Sequence, residues 1–309
     1  MPLTSVALTT LLLSACNNSN EAEQAKFSLG VSDAPVNDAE IVSIEIDSIK
    51  LTNPNDQQST IIDEFTNGDG DIVDSIQVNL LDFAGTAQMK IVDEAQGITL
   101  DDGTYSMELS IIDGGSYVVL NNDASEYDIK VPSSRLRLGE FTVNSEAVQV
   151  ADKPAYTVEF DLTQSLVLRG NDPAKNGYII KPHGVRIVSL YGDISGTISP
   201  ENTNLGACMV YLYDGEPTVL GDLFDSSDEY FEGETPTASA PLAATTVAVD
   251  GTYSIGFIPE GAYTVALRCV SDTEKSDDNI QYDELVIPTP EGNSTTVTVT
   301  AGNSSDVSF

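Results

Sequence analysis

The 309-residue chain sets 49 acidic side chains against 13 basic ones, a formal net charge of −36, and has 40% hydrophobic residues, 7% aromatic residues, three cysteines and one histidine. Phosphate binding needs clusters of Lys and Arg, so this balance excludes nucleic acid and anionic membrane surfaces as partners, while charge spread along the whole length suits a salty medium, where screening acts over roughly 8 Å or less. The length allows two domains, each large enough to bury a core.

Val6 to Leu13 is apolar but far short of the roughly 20 residues that a bilayer-spanning helix needs, and no later segment comes close. It ends in Leu12-Leu13-Ser14-Ala15-Cys16 and gives way at once to the polar Asn17-Asn18-Ser19-Asn20-Glu21. This stretch resembles the lipobox of bacterial lipoproteins. The resemblance implies a signal peptide over 1–15, cleavage before Cys16, acylation of that cysteine and a membrane partner reached through lipid. Several acyl chains would hold firmly, at about 0.8 kcal/mol per buried methylene. Met1 to Ala15 departs from the pattern in carrying no Lys or Arg. Asn17 is not the Asp that favours inner-membrane retention in these lipoproteins, so the same resemblance points to the outer membrane of a Gram-negative bacterium. Residues 16–26, polar and alanine-rich, read as a flexible tether.

From Phe27 onward Val and Ile recur in alternation, the period of half-buried strands. Val42, Ile44 and Ile46 fall on one face, and Ile49 and Leu51 resume the inward face one residue out of phase, which predicts a bulge near Asp47. Further strands are predicted in Ile72 to Leu80, Tyr105 to Ile111, Tyr127 to Val131, Tyr156 to Leu162 and Val185 to Leu190, with a single turn of helix within Val78 to Phe83. Val31-Ser32-Asp33-Ala34-Pro35, Gly103-Thr104-Tyr105, Val131-Pro132-Ser133-Ser134, Phe160-Asp161-Leu162-Thr163-Gln164-Ser165 and Tyr178-Ile179-Ile180-Lys181-Pro182, in that order, resemble domain-of-unknown-function family 4382. The family occurs in bacterial surface lipoproteins and has no established activity, so the resemblance implies location and fold for a domain over 27–190.

Asn67-Gly68-Asp69-Gly70-Asp71-Ile72-Val73-Asp74 spaces oxygen-bearing side chains as a calcium loop does, with Asn67, Asp69, Asp71 and Asp74 as the candidate ligands and Ca2+ as the one cofactor suggested. It fails the EF-hand pattern, because Ile72 stands where glycine is needed and Val78 where glutamate is needed. An acidic hairpin turn is the other reading. Asp222, Asp225, Asp228, Glu229, Glu232 and Glu234 form a second acidic group that reads as a solvated loop or a cation site.

A second unit, 191–309, opens with Gly192-Asp193-Ile194-Ser195-Gly196-Thr197-Ile198. Gly206-Ala207-Cys208-Met209-Val210-Tyr211-Leu212-Tyr213, Asp250-Gly251-Thr252-Tyr253-Ser254-Ile255 and Gly261-Ala262-Tyr263-Thr264-Val265-Ala266-Leu267 follow, with an acidic insertion between the first and second of these three. This order resembles the transthyretin-like, carboxypeptidase-regulatory-like sandwiches, whose fold is described as carbohydrate-binding-like; the resemblance implies sugar as a ligand class. Cys208 and Cys269 each lie in a predicted strand and can form a disulfide in an exported protein, or remain two buried thiols.

Many short strands without helical crossovers predict an all-β protein, two antiparallel β-sandwich domains in tandem behind the signal peptide. His183, between Pro182 and Gly184, reads as a turn residue, and neither a nucleophile elbow nor a phosphate loop is present. The expectation is a non-enzymatic surface binding or adhesion module whose partner is a polysaccharide or an envelope protein. A structural spacer of the outer envelope is the alternative, and a paired-carboxylate hydrolase the third reading. Tyr211, Tyr213, Tyr230 and Phe231 are the aromatic candidates for a sugar platform, though the first two alternate within a strand.

Overall fold

A computed structural model describes residues 24–34, 39–55, 58–121, 123–145, 153–224, 237–271, 277 and 282–309. The signal segment, Cys16 and most of the tether lie outside these residues, as do Tyr230, Phe231 and all of the second acidic group except Asp222. No helix among the described residues is long and apolar enough to cross a membrane.

The architecture is all-β. In the first unit a nine-stranded sheet runs in the order Arg135–Val143, Gly103–Ile111, Ala39–Thr52, Tyr117–Leu120, Asp123–Lys130, Tyr178–Ile180, Leu166–Leu168, with Ser59–Ile62 and Ile76–Asn79 also pairing with the long third strand. A four-stranded sheet, Val185–Val188, Tyr156–Asp161, Leu29–Ala34, Met89–Val92, supplies the other side of the core. Leu29, Val31, Ile44, Ile46, Ile49, Leu51, Val158 and Phe160 lie fully buried in one cluster. The predicted bulge is present: Ser110 pairs with Ser48 while Ile111 pairs with Ile46, so Asp47 is the extra residue that returns Ile49 and Leu51 to the inner face. The predicted helical turn is the 3-10 segment Leu80–Phe83.

The second unit packs a three-stranded sheet, Thr252–Pro259, Tyr191–Thr197, Ser304–Asp306, against a four-stranded one, Ala243–Thr246, Ala207–Asp214, Gly261–Val270, Ser294–Val299. Its core gathers Ile194, Val210, Leu212, Ile255, Val265, Leu267 and Val299.

Most pairings are antiparallel, as expected, but three are parallel: Tyr156–Asp161 beside Leu29–Ala34, Asp123–Lys130 beside Tyr178–Ile180, and Tyr191–Thr197 beside Ser304–Asp306. Each brings together strands far apart in sequence, because parallel neighbours require a long crossover and cannot be joined by a hairpin.

The two units meet in a small, specific joint. Val188, Tyr191 and Phe257 form a cluster of their own, with the Tyr191 and Phe257 rings 4.7 Å apart. Thr157 Oγ1 donates to Gln88 Oε1 at 2.8 Å, Gln88 Nε2 donates to the Tyr191 hydroxyl at 2.7 Å, and Lys153 Nζ lies 4.9 Å above the Tyr191 ring. Backbone meets backbone at Gly256, where a Cβ would stand 2.2 Å from the Gly85 carbonyl oxygen; any side chain there would push the units apart.

Candidate functional site

Two polar constellations stand out, one sealed and one open. The sealed one unites Asp33 from the Val31–Pro35 motif, Glu159 and Asp161 from the neighbouring parallel strand, and Arg186 from the next; Phe160 lies directly opposite Asp33. Asp33, Glu159 and Asp161 are at most 1% exposed. Asp161 caps the short helix Leu162–Ser165, accepting from Thr163 N at 3.1 Å, from the Thr163 hydroxyl and from Gln164 Nε2 at 2.7 Å. Glu159 is paired with Arg186 at 2.8 Å, and Arg186 also donates to the Leu242 carbonyl of the second unit at 3.1 Å. Gln164 Nε2 donates to that same carbonyl at 3.2 Å.

Asp33 has neither carboxylate oxygen hydrogen-bonded. Burial, then the charges of Asp161 and Glu159, hold its carboxyl well above the usual carboxylate range, with only the nearby Leu162 amide pulling the other way. Burial likewise lifts Glu159 to about 7, against the opposing pull of Arg186. These acids are closed off from solvent, so no substrate reaches them in this conformation. His183, in the turn entering Val185–Val188, occupies the place expected of it.

Cys208 and Cys269 form the expected disulfide, cross-linking directly opposed residues of two paired strands. On the outer face of that sheet Tyr211 and Tyr213 are wholly buried, which removes them as a sugar platform. Leu223 and Ile287 pack over them, Tyr211 donates to Asp277 at 2.9 Å, and Tyr213 donates to the Gly221 carbonyl at 2.7 Å. Asp222, expected in a loop or cation cluster, instead accepts backbone N–H groups of Asp283 and Leu285 at 3.0 and 2.9 Å. The candidate calcium loop is a hairpin turn between Phe65–Thr66 and Ile72–Val73. There the Asn67 carboxamide oxygen accepts from the backbone of Asp69 and Asp71 at 3.0 and 2.8 Å, while Asp69, Asp71 and Asp74 are exposed. Among the described residues no group of three or more His, Cys, Asp or Glu is arranged to hold a metal ion.

The open constellation is a cleft of about 380 Å3 beside the end of the large sheet. The strand Asp123–Lys130 contributes Glu126, Tyr127, Asp128 and Lys130, the loop after Leu166–Leu168 contributes Arg169, and the helix Pro173–Asn176 contributes Lys175 and Asn176. The parallel pairing of Ile129 with Tyr178 brings these segments together. Gly177 makes it possible: its φ is +64°, and a Cβ there would lie 2.4 Å from the Asp128 carbonyl oxygen. Arg169 donates one N–H to the Asn176 carbonyl at 2.9 Å and Lys175 pairs with Asp172 at 2.8 Å. Tyr127, half-buried, sets its ring 6.4 Å from that of Tyr178. Nothing in the linear order marks this cleft, since its residues span some fifty positions.

Sheets packed around two cores, a cross-strand disulfide and a solvent-open polar cleft define an all-β tandem protein. A family model described as domain of unknown function (DUF4382) matches residues 24–182, just over half of the chain, and the chain belongs to that family. No curated protein matches it. Among solved structures it is similar to the minor pilin GBS52 of Streptococcus agalactiae, at 12% identity and a TM-score of 0.22, covering 92% of this chain and 94% of that one. It is similar also to the major pilin subunit BcpA of Bacillus cereus, at 10% identity and a TM-score of 0.21, covering 93% and 99%. The Bacillus anthracis TIE protein matches at 10% identity and a TM-score of 0.21 over 92% of this chain, which spans only 33% of that longer one.

Proposed function

We propose that the protein is a non-enzymatic recognition module of the cell envelope, anchored in the outer membrane by lipid on Cys16, and that it binds carbohydrate. The cleft carries this reading. Saccharides are held by an aromatic face together with donors and acceptors for hydroxyl groups. Tyr127 offers the face, Arg169, Lys130 and Asn176 the donors, and Glu126 and Asp128 the acceptors. The order of strands in 191–309, similar to transthyretin-like sandwiches, supports the same ligand class. A glycan array probed with the purified protein tests it: retention on at least one polysaccharide is expected, and failure on all would leave the spacer reading, which the tied joint between the units favours. Labelling cells with radioactive fatty acid tests the anchor, with label expected on the native chain and absent from Cys16→Ala.

A further inference from the structure

We propose that the cleft selects an acidic saccharide, one bearing a carboxylate such as a uronic acid, with Arg169 and Lys130 meeting the carboxylate and Tyr127 lying against the sugar ring. The inference rests on the carbohydrate reading above and narrows it. In a chain with 49 acids and 13 bases, a base has every opportunity to find an acid. Lys90, Arg135, Arg137, Lys153, Lys175 and Arg186 all do so. Lys26, Lys50, Lys130 and Arg169 show no ion pair among the described residues; of these four only Lys130 and Arg169 line the cleft, which they reach from separate elements with Glu126 and Asp128 beside them.

Arg169 uses one terminal nitrogen on the Asn176 carbonyl, which steadies the guanidinium. The opposite edge of the fork, Nε and the other terminal nitrogen, is the edge that receives a carboxylate in two parallel hydrogen bonds. Lys130, exposed at the end of its strand, adds a second positive charge. The overall charge of −36 does not forbid an anionic ligand. At physiological ionic strength a charge is felt over roughly 8 Å, so the groups lining the cleft decide the local field. In dilute salt the remote acids should slow association, which makes moderate salt the condition of tightest binding.

The test is calorimetric titration of the purified protein with oligogalacturonate, with the fully methyl-esterified oligomer of equal length and with a sulfated oligosaccharide, in about 0.15 M salt. Oligogalacturonate should bind and its ester, identical apart from the charge, should bind at least about tenfold more weakly. Arg169→Gln and Lys130→Gln should each weaken binding of the acid form without shifting the melting temperature, since both side chains are exposed. Equal binding of acid and ester, unchanged by Arg169→Gln, would overturn the acidic-ligand inference while leaving a carbohydrate site standing. Binding of the sulfated oligomer alone would overturn the carboxylate assignment, and a null result for all three, together with an empty glycan array, would overturn both readings.

Discussion

Asp33 is held in an environment its chemistry opposes, a carboxyl at 0% exposure with neither oxygen hydrogen-bonded. Ionising a carboxyl against burial and the charges of Asp161 and Glu159 costs stability, and an amide does not ionise, so Asp33→Asn should raise stability at pH 8, read from the midpoint of urea unfolding. That cluster, together with Asp277 buried beside Tyr211 in the second unit, fixes the direction of the pH dependence. Asp33, Glu159 and Asp277 have folded pKa values raised above those of the unfolded chain, Glu159 to about 7 and Asp277 to about 6. Between pH 4 and about 7 the folded protein therefore keeps protons that the unfolded chain has released, and stability falls as pH rises through that window. A melting temperature that climbs from pH 5 to pH 8 would contradict this. Asp33's inward direction was legible, because Leu29, Val31 and Asp33 share one face of a strand. Its lack of partners was not, since that depends on side chains from Glu159 to Leu162 that no local pattern places beside it.

Among the elements, those whose evidence is local were readable. The two out-of-phase apolar runs around Asp47 announced a bulge that the pairing contains, and the positions of Cys208 and Cys269 in predicted strands announced a feasible bridge. The parallel neighbours were not readable, because alternation reports which face a strand buries and says nothing about which distant strand lies beside it. The cleft depends on one such pairing, Ile129 beside Tyr178, and was missed for the same reason. The disulfide closes a sequence separation of 61 residues, worth about 4 kcal/mol in the chain-entropy model. Replacing both cysteines by serine should lower the unfolding free energy by several kcal/mol while leaving the first unit's transition in place, as followed by calorimetry. A single unshifted transition would show that the bridge adds nothing to strands already hydrogen-bonded to each other.

For the whole molecule the governing quantity is charge. A net −36 repels itself most when the chain is compact, so the melting temperature should rise between 0.05 and 1 M sodium chloride, most steeply at the low end where the screening length is shortening fastest. Salt also separates two contributions that act in the same direction. At 1 M the pH dependence due to general repulsion should shrink, and the part due to the sealed carboxyls should persist; Asp33→Asn should reduce only the latter. Tandem all-β construction was visible from composition and period together. The joint was not, because Gln88, Thr157, Tyr191 and Phe257 come from both units and each looks ordinary in its own strand.

Arg186 and Gln164 reach across that joint to a single main-chain oxygen, that of Leu242. A carbonyl is offered by every residue type, so this docking contact is blind to the identity of the side chain at 242. The second unit can accordingly exchange Leu242 for another residue of similar bulk, or drift through many of them over generations, and still present the same acceptor to the first. At this one contact the constraint falls on one partner alone, the segments that carry Gln164 and Arg186.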